Sequence, residues 1–326
     1  MKPKVYVSRL LTKPAMDRIH SFCDAEVWEG ELPPPREVLL EKVRNVEGLL
    51  SLLTDKVDAE LMDKAPKLKV VSNCAVGFDN IDIHEATKRG ILVGNTPGVL
   101  TDTTADFAFT LLMAAARRVV EGDKQVRAGG WKTWGPMILL GQDIHGATLG
   151  IIGLGRIGAT VARRAKGFGM RLLYYDVVRQ KKLEDELGIQ YLELERLLAE
   201  SDFITIHTNL TAETHHLIGA KQFEKMKRTS VLVNTSRGPI IDNMALYEAL
   251  RNGKIGFAAL DVTEPEPLPA NHPLLTLDNV IVTPHIASAS VVTRTKMGMI
   301  AAENLIAGLK SEMPPNPVNP EVLKKR

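Results

Sequence analysis

At 326 residues the chain is long enough for two domains of ordinary size, and 44% hydrophobic residues can build a core in each. Forty-one basic residues against 39 acidic ones leave no charge excess of the kind that nucleic-acid or anionic-membrane binding requires, so neither partner is expected. Two cysteines, Cys23 and Cys74, exclude a disulfide framework and CxxC metal spacing, and no apolar run has the length of a membrane span; cytoplasm is the expected location.

The start, MKPKVYVSRLL, has its apolar run broken by Ser8 and Arg9, which reads as a strand over Val5 to Val7 and not as a signal peptide. A helix is expected over Ala15 to Phe22 and a strand over Ala25 to Trp28, before the cluster Pro33-Pro34-Pro35. Further strands are expected at Gly48 to Leu53, Lys69 to Ser72 and Ile91 to Val93, with helices near Arg36 to Val43, Asp58 to Ala65 and Asp82 to Lys88. This alternation predicts a parallel sheet covered by helices, yet the segment has no glycine-rich phosphate turn. Thr101 to Val120 is an apolar helix with threonine and aspartate at its start and arginines near its end, read as the connector between domains. Gly129-Gly130-Trp131-Lys132-Thr133-Trp134 fits plain packing as well as a subunit contact or a pocket rim.

Ala147 to Asp176 organises the rest. An apolar run, Leu149 to Ile152, precedes Gly153-Leu154-Gly155-Arg156-Ile157-Gly158, and Ala159, Val161, Ala162 and Ala165 follow at helical spacing. A second apolar run, Leu172 to Tyr175, ends on Asp176, 18 positions after Gly158. Gly153 allows the tight turn, Gly155 lets the backbone approach a pyrophosphate, and Gly158 lets helix and strand pack closely. Asp176 then accepts hydrogen bonds from a ribose hydroxyl. Other α/β proteins contain glycine turns, but strand, helix, second strand and terminal acid in this order predict dinucleotide binding.

Strands at Phe203 to His207, Val231 to Thr235, Phe257 to Asp261 and Val280 to Thr283 complete six parallel strands. The last long helix, Ser288 to Leu309, is expected to cross back onto the first domain, and the tail from Pro314 to Arg326 to be irregular and peripheral. The division is therefore 1–100 with 288–326 as a substrate-binding domain and 101–287 as a dinucleotide-binding domain, with a ligand cleft between them. Three strand ends carry chemistry: Ser236-Arg237-Gly238, Val262 to Pro267 with Glu266, and Pro284-His285-Ile286. A guanidinium can hold a carboxylate in a fork, a histidinium can protonate a carbonyl oxygen as hydride reaches carbon, and a carboxylate beside the imidazole favours its protonated form. Taken singly, these are also ordinary surface or structural residues. The adjacent His215-His216 pair lacks HExxH spacing and reads as structural, with no metal site expected.

On LGIIGLGRIG (149–158), NTSRGPIID (234–242), LDVTEPEPLP (260–269) and TPHIAS (283–288), the chain resembles the D-2-hydroxyacid dehydrogenases over almost its whole length. VGFDNID, NTPGVLTDTTAD and GGWKTW resemble the glyoxylate/hydroxypyruvate reductase subgroup. The resemblance implies an α/β architecture of two doubly wound parallel-sheet domains, a Rossmann-type cofactor domain and a flavodoxin-like substrate domain. It implies that Arg237 binds a small 2-keto acid, that Glu266 and His285 form the acid pair, and that Val76 and Gly77 hold the substrate carboxylate, with Ser288 nearby. Thr104, Thr235 and Asp261 match positions lining the nicotinamide. Arg156, Ile157, Thr208, Asn209, Thr214 and Ser236 fall on further cofactor positions, although Asn209 stands where many members have proline. Trp134 matches a tryptophan that enters the neighbouring subunit's site, so a homodimer is implied. Asp176 favours NADH, while Arg179, Lys181 and Lys182 leave NADPH open as a second cofactor.

Reduction of glyoxylate or hydroxypyruvate to glycolate or D-glycerate is the leading reading. A 2-ketogluconate reductase would use the same machinery. A nicotinamide-sensing, corepressor-like binding protein would keep the residues without turnover.

Overall fold

Short aliphatic runs, each followed by a turn and a helix, build two parallel sheets in the computed structural model, which describes residues 1–324. Lys325 and Arg326, the end of the expected tail, lie outside the described residues. The chain divides into two compact units, Met1–Leu100 with the segment from Ala289 onward, and Thr101–Ser288. No helix among the described residues is long and apolar enough to cross a membrane.

In the first unit the strands are β1 (Lys4–Val7), β2 (Asp24–Val27), β3 (Gly48–Ser51), β4 (Val70–Asn73) and β5 (Leu92–Gly94). They pair in parallel in the order β2-β1-β3-β4-β5, the order of flavodoxin-like sheets. β3 and β4 are buried throughout, whereas the edge strand β2 has no buried residue. Helix Val291–Leu309, capped by Ser290 Oγ, returns to this sheet and packs on β3, β4, β5 and helix Lys13–Phe22. Ser72 Oγ donates to Ala301 O at 2.7 Å beneath it.

The tail corrects the sequence expectation, because it is not peripheral. Val318 N–H donates to Val93 O at 2.8 Å, and Pro317 bridges Gly94 in antiparallel sense. Asn319, 1% exposed, accepts from Val93 N–H at 2.7 Å and donates to Ile91 O at 3.0 Å and Thr87 Oγ1 at 2.9 Å. β5 ends the sheet, and the tail covers backbone groups that an open edge would leave unpaired.

In the second unit β6 (Thr148–Ile152), β7 (Arg171–Tyr175), β8 (Gln190–Tyr191), β9 (Phe203–Ile206), β10 (Val231–Asn234), β11 (Phe257–Leu260) and β12 (Val280–Val282) pair in parallel. Their order is β12-β11-β10-β9-β6-β7-β8, the dinucleotide-binding arrangement with one strand added at the far edge. Seven strands stand where the sequence suggests six, since β8 spans two residues and has no run to read. Successive residues serve opposite faces: Leu149, Ile151, Val231 and Val233 enter one core, and Ile152, Ile204, Ile206 and Leu232 the other.

The expected connector helix is two helices, Thr101–Ala116 and Val119–Arg127. Gln142 N–H takes the Ala116 carbonyl at 2.8 Å, and Arg118 turns left-handed (φ 52°) while its guanidinium pairs with Glu121. The first helix cannot continue through that turn. The second has no buried residue.

Candidate active site

The strand order reverses at β6, which lies between β7 and β9, so the loop leaving β6 is where this kind of sheet collects ligands. Gly153 has φ 92°, and a Cβ there would meet His207 C at 2.8 Å; a Cβ on Gly158 would meet Gly153 O at 2.1 Å. On Gly155 a Cβ would meet nothing, which leaves that face open to a ligand. Helix Arg156–Lys166 starts there with no acidic residue in its first turn, Arg156 exposed and Ile157 half-buried, so its N–H groups suit a pyrophosphate.

Asp176 Oδ2 accepts the Leu154 N–H at 2.8 Å and Oδ1 the Val178 N–H at 3.2 Å, joining the end of β7 to the glycine turn. Arg179 is drawn into a two-bond pair with Glu184, at 2.7 and 2.9 Å, and Tyr174 Oη donates to the same carboxylate at 2.7 Å. The Arg179 hydrogen bonds, with that from Tyr174, pull the Glu184 carboxyl down to about 2.

The three polar strand ends lie on consecutive neighbours, β10, β11 and β12. After β10, buried Asn234 shapes the turn: its Oδ1 accepts from Ser236 N–H at 3.0 Å and Ser236 Oγ at 2.9 Å, and its Nδ2 donates to Arg237 O at 2.9 Å. Arg237 Nη1 donates to Ser236 O at 2.9 Å. Gly238 brings this loop against the next strand end, since a Cβ there would stand 1.9 Å from Thr263 O.

After β11, Asp261 is 1% exposed and its carboxylate is spent on the following strand end. Oδ1 accepts from Thr283 Oγ1 at 2.6 Å and Ile286 N–H at 2.8 Å, and Oδ2 from Ala287 N–H at 2.7 Å. His285 N–H donates to Asp261 O at 3.0 Å, and His285 itself stands at φ 55°, a strained conformation for a residue with a Cβ. The clamp therefore fixes the backbone that presents the imidazole. Glu266 Oε1 meets His285 Nδ1 at 2.5 Å, and no described residue bonds Nε2.

Of the other sequence-expected residues, Thr104 is buried in the first turn of helix Thr101–Ala116, and Ser288 is buried just past the His285 turn. Thr235 Oγ1 is buried with no partner among the described residues, as a residue waiting for a cofactor donor or acceptor would be. Thr208 is half-buried; Thr214 Oγ1 donates to Asn209 O and accepts the Thr211 N–H, both at 2.7 Å, closing that loop. Val76 and Gly77 follow β4 in the first unit, and Trp134 is 78% exposed.

Sequence reasoning missed Asn234, whose signal is a polar side chain ending the buried run VLVN. It also missed that Glu264 gathers the two histidines: His216 Nε2 lies 2.8 Å from Glu264 Oε2, His215 Nε2 lies 3.7 Å from Oε1, and the rings stack 4.0 Å apart. His216 joins the segment after β9 to the segment after β11.

The sheet order, with its glycine turn at the reversal, defines a dinucleotide-binding α/β domain. The family described as D-isomer specific 2-hydroxyacid dehydrogenase, NAD binding domain, matches residues 109–287. The glyoxylate reductase of Korarchaeum cryptofilum is 57% identical, covering 100% of this chain and 98% of that protein. A crystal structure of a Thermus thermophilus protein superposes with TM-score 0.92 at 47% identity, covering 97% of this chain and 99% of that one. The NADPH-dependent glyoxylate/hydroxypyruvate reductase of Sinorhizobium meliloti, solved with NADP and malonate, gives 0.85 at 33%, covering 98% and 97%. The chain belongs to the D-isomer-specific 2-hydroxyacid dehydrogenase family.

Proposed function

We propose that the protein is a cytoplasmic, NADH-dependent glyoxylate/hydroxypyruvate reductase that forms glycolate or D-glycerate. The observation that carries the reading is the Glu266–His285 pair at 2.5 Å, on a backbone turn after β12 that Asp261 clamps, with β11 between it and the strand that leads into the Arg237 turn. The names of relatives such as the K. cryptofilum enzyme support the substrate class. The two buried, unpaired cysteines agree with a reducing compartment.

Gly153 to Gly158, with Thr104, Asp176, Thr208, Asn209, Thr214, Thr235, Ser236 and Asp261, would hold the cofactor. When bound, the reduced nicotinamide supplies the hydride that forms the new C–H bond at the carbonyl carbon. Arg237 grips the 2-keto acid and orients its carbonyl. His285, protonated beside Glu266, gives its Nε2 proton to the carbonyl oxygen; the C=O π bond is lost and the 2-hydroxy acid results. Glu266 stabilises the imidazolium and holds the ring through Nδ1.

Asp176 repels a 2′-phosphate, and Glu184 occupies the Arg179 fork that could attract one. The test is the loss of reduced-nicotinamide absorbance with NADH and NADPH across glyoxylate, hydroxypyruvate, pyruvate and 2-ketogluconate. Fast turnover of glyoxylate or hydroxypyruvate with NADH is expected; binding of cofactor without reduction of any of the four would favour the nicotinamide-sensing alternative. Asp176→Ser should shift the NADPH/NADH ratio of kcat/KM upward by roughly tenfold or more, about 1.4 kcal/mol. An unchanged ratio would remove Asp176 as the selector.

The homodimer belongs to the same proposal. Val119, Val126, Trp131, Trp134, Met137 and Leu140 are all more than half exposed in one stretch of chain, a concentration of open apolar side chains that suits a protein–protein contact. A second copy covers it, and Trp134 reaches the partner's substrate. Light scattering should give twice the 35.8 kDa chain mass. A monomer at micromolar concentration would overturn the assignment.

A further inference from the structure

We infer that Asn95 and Asn73 are positioning residues that aim three successive backbone N–H groups, those of Val76, Gly77 and Phe78, at the substrate carboxylate. The inference rests on the 2-keto acid reading above, in which Val76 and Gly77 hold the substrate carboxylate, and adds to it the side chains that orient those N–H groups.

Peptide geometry fixes where these N–H groups point. In a trans peptide the carbonyl of one residue and the N–H of the next point in opposite directions, and the structure's cis bonds all lie elsewhere. Three consecutive carbonyls after β4 are tied into the protein. Ala75 O accepts the Thr96 N–H at 2.8 Å, Val76 O accepts Asn95 Nδ2 at 2.7 Å, and Gly77 O accepts Asn73 Nδ2 at 2.9 Å. Each tie turns the following N–H the other way, and none of the three N–H groups donates to a described protein acceptor. Consecutive N–H groups facing one side form a concavity suited to an anion, and a carboxylate has the lone pairs to accept all three.

The anchors are rigid. Asn73 is fully buried and Asn95 is 8% exposed. Asn95 O accepts Asn304 Nδ2 at 2.7 Å, from a fully buried side chain on helix Val291–Leu309, and Asn95 N–H donates to Asn316 O at 3.2 Å. Asn73 Nδ2 also reaches Asn80 Oδ1 at 3.1 Å, and Asn80 Nδ2 holds Leu52 O and Asp55 O at 3.0 and 2.9 Å. A helix, the β4–β5 strand ends and the loop after β3 thus converge on the orientation of two peptide planes.

The test compares wild type with Asn95→Ala by steady-state kinetics on glyoxylate, by oxamate binding to the enzyme–NADH complex, and by NADH binding alone. Asn95→Ala should raise the glyoxylate KM and the oxamate Kd together, roughly tenfold, with saturating kcat within about twofold and NADH Kd unchanged. Asn73→Ser, which removes the donor to the next carbonyl, should give the same split and serves if the first variant fails to fold. An unchanged KM, or a loss falling equally on kcat and NADH binding, would overturn the positioning role. A wild-type protein that neither reduces a 2-keto acid nor binds oxamate would instead sink the reading beneath it.

Discussion

Replacing His285 by alanine should lower kcat about 10³-fold, inside the span of about 10² to 10⁴ that a positioned proton donor contributes. NADH binding should be nearly unaffected, because the change removes a proton and leaves the glycine turn intact. Glu266→Gln should cost less in rate, because an amide keeps a hydrogen-bonding atom opposite Nδ1 but loses the charge of the carboxylate that lies 2.5 Å from it. Single-turnover kinetics would read both effects. Near wild-type kcat in His285→Ala would refute its role as the acid. An unchanged rate in Glu266→Gln would leave the pair structural. The φ of 55° at His285 gives the site its dependence on Asp261, since three donors must meet one buried carboxylate to hold that turn.

The sheets and the glycine turn were legible because they depend on local signals: apolar runs of strand length, and glycines where φ or contact excludes a side chain. Gly153 at φ 92° and Gly158 against Gly153 O are such positions. The strand ends carrying Arg237, Glu266 and His285 could be read as loop residues following apolar runs. What clamps them could not, because Asp261 bonding Ile286 and Ala287 is a contact across 25 and 26 positions. The tail defies a local reading for the same reason. Pro314-Pro315-Asn316-Pro317 looks irregular in isolation, and only the bare edge of β5, more than 200 positions earlier, makes Asn319 a buried residue. The break at Arg118 was hidden because the Ala116 carbonyl is taken by Gln142 and no helix-breaking residue marks the spot.

Arg237→Ala should lower kcat/KM for glyoxylate about 100-fold, most of it in KM, with oxamate binding weakened in parallel. The figure follows from losing charge-assisted bonds worth about 1.5–3 kcal/mol to a bound anion. Arg237→Lys should restore the charge without the fork, and so recover part of the affinity while leaving kcat low, since a single ammonium fixes the carbonyl in one direction only. That ordering separates binding from orientation. If alanine and lysine were equally impaired in KM, charge would contribute nothing and the fork would be the whole effect. If neither raised KM, Arg237 would not touch the substrate. The backbone supports a fixed fork: Asn234 holds the Arg237 carbonyl and both Ser236 donors, and Gly238 lets the loop lie against Thr263. Asn234→Ala should therefore copy the orientation defect of the lysine variant while the guanidinium is still present, a lowered kcat with a smaller rise in KM.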